Sequence, residues 1–114
     1  MLEGQRGLSA LARGQFVMCP TLCYRTEAVR AQPFDPRWKQ VLDLDLLARV
    51  LLAGERLVGI PARLYAYRRH PEQQTAVQTA DASRFVEELA LHQELVAAAS
   101  ERGWTVAART ARIA

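Results

Sequence analysis

The sequence predicts an α/β fold made of short strands, one buried helix and a long C-terminal amphipathic helix. Residues 42–52 are apolar on almost every side, as is typical of a helix inside a core. Two short stretches rich in strand-forming residues, 56–60 and 64–67, follow directly, which favours layered packing of helix and strands. Between residues 79 and 102, apolar residues recur every three or four positions, which predicts a helix with one packed side.

Length and composition indicate one globular core. The chain has 114 residues, of which 50% are hydrophobic and 24% charged, so it can build one core but not two. The net charge is +3 and the basic residues are scattered, which favours a solvated surface over a nucleic-acid-binding face. No apolar run reaches the roughly 18 residues of a spanning helix, and no signal-peptide centre is found. We expect a cytoplasmic chain, either free or peripheral to a membrane.

The two cysteines favour a structural interpretation. Cys19 and Cys23 flank a proline, and no second Cys or His pair lies at zinc-binding spacing. We therefore expect small buried thiols rather than a metal site.

The N-terminal third predicts two short helices around a strand. Helix-spaced leucines predict a helix within 2–13 that ends at Gly14. Strand formers predict a strand over 21–24, and Thr26 would cap a helix running to Ala31. Prolines at 33 and 36 then predict an extended loop, with Phe34 and Trp38 as its apolar anchors.

Two aspartates open the buried helix. Asp43 is expected at its cap position, and Asp45 in its first turn suits the positive end of the helix dipole. Arg49 is the basic residue inside the helix, and Gly54 ends it.

The long C-terminal helix is expected to start at a cap formed by Thr79 or Asp81 and to stop at Gly103. His92 lies on its apolar side and is predicted to be a partly buried packing residue. The tail from Trp104 is either a frayed helix or the start of a further element. The predicted packing stripe consists of Phe85, Leu89, His92, Val96 and Ala99.

Two sets of residues could carry chemistry. Asp43, at a helix start among apolar neighbours, could take a proton from a hydroxyl, and the alternative is a plain helix cap. Arg68 and His70 would share one face of a strand end, where two cationic groups suit a diphosphate. The alternative for this pair is an exposed strand end with surface arginines.

Taken in order, the motifs resemble the C-terminal part of family 2 glycosyltransferases, which are inverting enzymes with a GT-A fold. The resemblance covers about residues 14–75. It consists of a strand ending in Arg25, the pair Phe34-Asp35, the acidic motif Leu42-Asp43-Leu44-Asp45-Leu46, Arg49, Gly54, Ile60-Pro61 and the cluster Tyr67-Arg68-Arg69-His70.

The resemblance implies roles for these residues. Asp43 matches the base that deprotonates the acceptor hydroxyl. Arg68 and His70 match positions near the donor diphosphate and its divalent metal, Mg or Mn, with His70 as a candidate metal ligand. Asp45 and Arg49 would support the helix. Leu42 stands where the family usually has Glu, a difference that bears on acceptor preference.

The resemblance also implies partners. These are a nucleotide-sugar donor and a glycan, lipid or protein acceptor, without nucleic acid, in a parent enzyme that could lie at the inner face of a membrane. The nucleotide-binding half and its Asp-x-Asp motif have no counterpart in these residues, so we expect a fragment that is inactive without that half. Residues 1–78 would be the C-terminal portion of the catalytic domain, and residues 79–114 a helix and tail.

Two other functions compete with this interpretation. The first is a non-catalytic α/β interaction domain that docks a partner by its Phe85–Val96 stripe, or else a truncated inactive product. A nucleic-acid-binding module would rest on arginine content alone, without interleaved aromatic residues.

Overall fold

The computed structural model describes residues 1–14, 17, 19–66, 68, 70–71 and 82–113. It is a mostly helical α/β domain with a two-stranded antiparallel sheet, in which Leu2 lies opposite Leu57 and Glu3 opposite Arg56. In chain order, the elements are β1 (Leu2–Glu3), α1 (Gly4–Arg13), a 3-10 turn (Cys19–Thr21), α2 (Thr26–Ala31), α3 (Leu42–Leu52), β2 (Arg56–Leu57), α4 (Ser83–Glu101) and α5 (Thr105–Ile113). No helix among these residues is long and apolar enough to cross a bilayer.

Helix α3 is the centre of the core, as its sequence predicted. Leu46, Leu47 and Leu51 are fully buried, and Gly54 follows the helix with a φ of 94° that favours glycine. One core joins the N-terminal and C-terminal segments, so residues 1–78 and 79–114 share it. Its largest contributors outside α3 are Leu8, Leu11, Trp38, Val41, Leu91 and Leu95.

A glycine allows α1 to approach α3 closely. A Cβ atom on Gly7 would lie 3.1 Å from both terminal methyl groups of Leu51. That distance is shorter than an ordinary van der Waals contact. The absence of a side chain at Gly7 therefore allows the two helices to pack this closely.

The predicted strands are largely wrong. Residues 19–21 form the 3-10 turn, and residues 22–25 adopt no regular structure where a strand over 21–24 was expected. The strand predicted over 56–60 is limited to two residues, and 64–66 are not a strand, while Tyr67 lies outside the described residues. Strand formers adopt a strand only when another strand pairs with them, and among the described residues only β1 pairs, with β2.

The predicted caps and thiols also differ from the structure. Helix α2 has the predicted bounds, but Thr26 is its first helical residue and Arg25 is its N-cap. The N-cap of α3 is Val41, so Asp43 lies inside the first turn instead of at the cap. Cys19, in the 3-10 turn, and Cys23, just after it, are exposed free thiols, because this segment lies at the surface rather than in a sheet.

The tail is a packed helix. Gly103, at a φ of 71°, ends α4 as predicted, and α5 follows at once and buries Ala107, Ala108 and Ala111. The expectation of a frayed helix is therefore wrong, because small alanine side chains let α5 lie close to α1 and α4. The cap residues predicted for α4, Thr79 and Asp81, lie outside the described residues.

The buried side of α4 matches the predicted stripe only toward its C-terminal end, where Ala99 is buried and Val96 packs against the core. The helix buries Leu91, Leu95 and Ala99, whereas Phe85 and Leu89 are 56% and 63% exposed. Apolar residues occupy two neighbouring faces of this helix, and packing against α5 selects one of them.

Candidate functional site

The candidate site lies at the start of α3, where Asp43 is partly buried. Its Oδ1 accepts a hydrogen bond from the backbone N–H of Leu44 at 2.9 Å. Partial burial of the Cys19 thiol, followed by the charge of Asp43, raises the pKa of that thiol. Burial, with smaller contributions from Cys19 and Asp43, raises the pKa of Tyr24 to about 12. These three groups therefore interact electrostatically at the N-terminal end of α3.

Tyr24 has a buried hydroxyl. Among the described residues, no group hydrogen-bonds to its Oη. The Tyr24 ring meets Phe34 edge-on, with ring centroids 6.5 Å apart and an interplanar angle of 83°. The two rings form an apolar wall near the start of α3, although Phe34, predicted as an apolar anchor, is 45% exposed.

Asp45 and Arg49 tie α3 to the preceding loop. Arg49 Nε and Nη2 each lie 2.9 Å from Asp45 Oδ2, and Nη2 also donates to the Pro33 carbonyl oxygen at 2.7 Å. Burial raises the pKa of Asp45, and the charge and hydrogen bond of Arg49 oppose that rise. The pair, predicted to support the helix, thus joins α3 to the proline-rich loop.

The loop before α3 is also attached to α4. Arg37 Nε donates to Asp35 Oδ2 at 2.8 Å, and its two terminal nitrogens donate to the Glu94 carboxylate at 2.8 and 3.3 Å. The Glu87 carboxylate accepts the backbone N–H groups of Lys39 and Gln40. Side chains of α4 therefore hold the residues that lead into Asp43.

Arg68 and His70 are exposed and do not lie on a strand. The predicted shared face of a strand end is therefore not formed, because residues 64–66 lack strand pairing. The residues before them expose Val58, Ile60 and Leu64. Across the described part of the chain, no three His, Cys, Asp or Glu side chains are grouped to hold a metal ion. Within these described residues, His70 therefore lacks the further ligands that the divalent metal implied by the resemblance would need.

A groove between α4 and α5 is a second feature of interest. It has a volume of about 530 Å³. His92 lies in it, and its Nδ1 is 3.1 Å from the Ala111 carbonyl oxygen, so the prediction of a partly buried packing histidine is confirmed. Arg112 lines the groove from α5, and the residues lining it from α4 are Phe85, Glu88, Leu89, His92, Gln93 and Val96.

Sequence reasoning missed Tyr24, Cys19 and Glu87 as neighbours of the start of α3. Tyr24 was assigned to a strand, Cys19 was considered only as a buried thiol, and Glu87 was not singled out. Little in the sequence indicates that these residues lie near the start of α3. Cys19 is brought there by a surface turn, and Glu87 by a contact with Lys39, almost 50 residues earlier in the chain.

Comparison of the chain with family models, curated proteins and solved structures gives no match. The function is therefore argued from the residues and their arrangement.

Proposed function

We propose that the chain forms the acceptor side of an inverting glycosyltransferase of family 2 with the GT-A fold. In this proposal, Asp43 is the base that accepts the proton of the acceptor hydroxyl. The nucleotide-sugar donor is bound by a nucleotide-binding half that these residues do not include.

The placement of Asp43 carries the proposal. Its carboxylate is only partly buried, so an acceptor can reach it, and α3 beneath it is packed on nearly all sides. The carboxylate lies in the first turn of α3, where an acceptor hydroxyl could approach it and give up its proton. The ordered motifs from Arg25 to His70 that resemble the family include this residue at the position of the base.

The proposed reaction is a single displacement. The Asp43 carboxylate takes the hydroxyl proton while the acceptor oxygen bonds to the anomeric carbon. The bond between that carbon and the diphosphate oxygen breaks at the same time, and the diphosphate leaves with its electron pair. Attack from the face opposite the leaving group inverts the anomeric configuration. Arg68 and His70 are proposed to approach the diphosphate, where the guanidinium of Arg68 and a ring N–H of His70 would donate hydrogen bonds to the leaving group.

Leu42 bears on acceptor preference. An apolar residue in place of the usual Glu gives the acceptor side one carboxylate fewer. We propose that the acceptor is held there by apolar contact beside Asp43 more than by hydrogen bonds.

Substitution of Asp43 tests the proposal in the natural gene product, assayed against a panel of uridine, guanosine and thymidine diphosphate sugars. Asp43→Asn should lower transfer about 10²–10⁴-fold, as expected for loss of a general base, with donor affinity nearly unchanged. Glu27→Gln, an exposed acid of α2, is the matched control and should transfer normally. Undiminished turnover in Asp43→Asn would reject the assignment.

A second candidate function is self-association through the groove between α4 and α5, favoured by the exposure of Phe85 and Leu89. The groove carries Glu88 on one helix and Arg112 on the other. Two copies related by a twofold axis could therefore pair opposite charges while covering the apolar residues. A partner of another kind would leave the isolated chain monomeric.

Sedimentation of the isolated chain separates these outcomes. Self-association predicts a dimer that Phe85→Ser dissociates, while Val106→Ser, which changes an exposed α5 residue that does not line the groove, should have no effect. A chain that is monomeric at millimolar concentration would exclude the second copy as the occupant of the groove.

A further inference from the structure

Glu87 makes an unusual contact for a residue of a surface helix. From the second turn of α4, its carboxylate receives the backbone N–H groups of two residues that lie almost 50 positions earlier in the chain. The Lys39 nitrogen lies 2.5 and 3.1 Å from its two oxygens, and the Gln40 nitrogen lies 3.2 and 3.1 Å from them. One side chain thus fixes two consecutive peptide groups through charge-assisted hydrogen bonds.

These two peptide groups lead directly into the helix turn that carries Asp43. Gln40 precedes Val41, the N-cap residue of α3. The Val41 carbonyl oxygen accepts the backbone N–H of Asp45 at 2.9 Å, which starts the helix. The position and direction of the first turn therefore follow from where residues 39–41 are held.

The N-cap residue of α3 makes no side-chain hydrogen bond to the first turn. Val41 cannot supply one, and Asp43 Oδ1 bonds to the adjacent Leu44 N–H. In many helices a capping side chain fixes the first turn. Here the attachment comes from a separate helix, through Glu87, so the geometry of the Asp43 turn depends on α4.

The neighbouring attachment is weaker. The side chains of Arg37 and Glu94, which join the same loop to α4, are 57% and 46% exposed. Solvent screens an ion pair with this exposure, so it holds its partners loosely. Glu87, by contrast, is partly buried and bonds to backbone groups.

We propose that Glu87 is a positioning residue for Asp43, which sets the location of the base by holding the Lys39 and Gln40 peptide groups. The inference rests on the proposed function, since it needs Asp43 to act on an acceptor. Glu87 itself does not touch the substrate.

The contact can be tested in this chain without any activity assay. Amide hydrogen exchange of Lys39 and Gln40 should be about tenfold faster or more in Glu87→Gln, because a neutral amide cannot hold both N–H groups as a carboxylate does. The Asp43 amide resonance should shift as well. Glu101→Gln is the matched control, because Glu101 is an exposed acid of the same helix that lies outside both this contact and the groove. Unchanged exchange in Glu87→Gln would overturn the inference.

The effect on catalysis is measured in the natural gene product. Displacement of a catalytic group by about 1 Å can cost about 10²-fold in rate. Glu87→Ala should therefore lower kcat by up to about 10²-fold, and Glu87→Gln, which keeps one acceptor oxygen, by less, with donor KM unchanged in both. If Glu87→Ala does not fold, the kcat of Glu87→Gln tests the positioning role.

The outcomes separate this inference from the proposed function. Faster exchange with a normal kcat would make Glu87 a purely structural residue and overturn its positioning role while Asp43 remains the base. Equal losses in kcat for Glu87→Gln and Glu101→Gln would overturn it too. Full transfer in Asp43→Asn, or none in the wild-type protein, would reject the proposed function, and the positioning role would fall with it.

Discussion

The close contact of Gly7 with Leu51 gives a prediction that can be worked out from the structure. Gly7→Ala should gain about 1 kcal/mol of helix propensity in α1. Its new methyl group, however, would lie 3.1 Å from two Leu51 methyl groups, in a core where Leu51 is fully buried. Overpacking of this kind costs about 1–3 kcal/mol, so we expect the single variant to be as stable as the wild type or less stable.

The double variant should behave differently. Leu51→Ala alone should lower the free energy of unfolding by about 2–5 kcal/mol through lost burial and a cavity. Once Leu51 is truncated, an alanine at residue 7 keeps its helix propensity, loses its clash and fills part of the cavity. We therefore expect a favourable coupling of about 1 kcal/mol or more between the two substitutions.

Urea unfolding followed by circular dichroism at 222 nm measures all three variants. Gly59→Ala combined with Leu51→Ala is the control, because a Cβ at Gly59 would meet no atom within 4 Å. The control pair should be additive. If Gly7→Ala and Leu51→Ala also add within about 0.5 kcal/mol, the packing of α1 against α3 described above is incorrect.

Three further predictions concern side chains around the core. The Tyr24 hydroxyl is buried without a partner, so Tyr24→Phe should raise stability by about 1 kcal/mol at neutral pH. Unfolded Tyr24 ionises near pH 10 and the folded residue at about 12, so the unfolded state loses its proton first. The free energy of unfolding should therefore fall as the pH rises from 10 to 12. In alkaline denaturation curves, Tyr24→Phe should lack the part of this fall that the ionisation of Tyr24 causes. Arg49→Met leaves the carboxylate of Asp45, a residue 4% exposed, without its partner, and should cost about 3 kcal/mol or more in thermal unfolding. Leu91→Ala should cost about 2–5 kcal/mol by the same measurement, and Phe85→Ala much less, if α4 packs by its Leu91 side.

The helices could be predicted because their signals are local. The apolar run of α3 and the glycine after it define that helix within the sequence itself. Residues 26–31 likewise form α2 with the predicted bounds. The N-cap residues of α2 and α3 were misassigned because the cap position depends on the path of the segment before the helix. Before α3, that segment is a loop held by Glu87.

The strands and the packed side of α4 could not be predicted in the same way. A strand exists only with a pairing partner, so the strand formers at 21–24 carry no decisive information about their own structure. Helix α4 has two apolar faces, and its contact with α5 decides which one is buried. Since α5 packs through alanines, its own apolar signal is weak, and its role in the core was not recognised.

The candidate site was predicted in part. Asp43 could be selected from its place at a helix start, but the wall formed by Tyr24 and Phe34 depends on a turn that replaces the expected strand. The expected pairing of Arg68 with His70 on a strand face required a strand that residues 64–66 do not form.

The central claim is that Asp43 deprotonates an acceptor hydroxyl in an inverting transfer. The most direct test follows the anomeric configuration of the product made by the natural gene product and by its Asp43→Asn variant. If Asp43 is the base, the product is inverted relative to the donor, and the substitution lowers its formation about 10²-fold or more. A product of retained configuration, or equal product formation by both proteins, would rule out this role for Asp43.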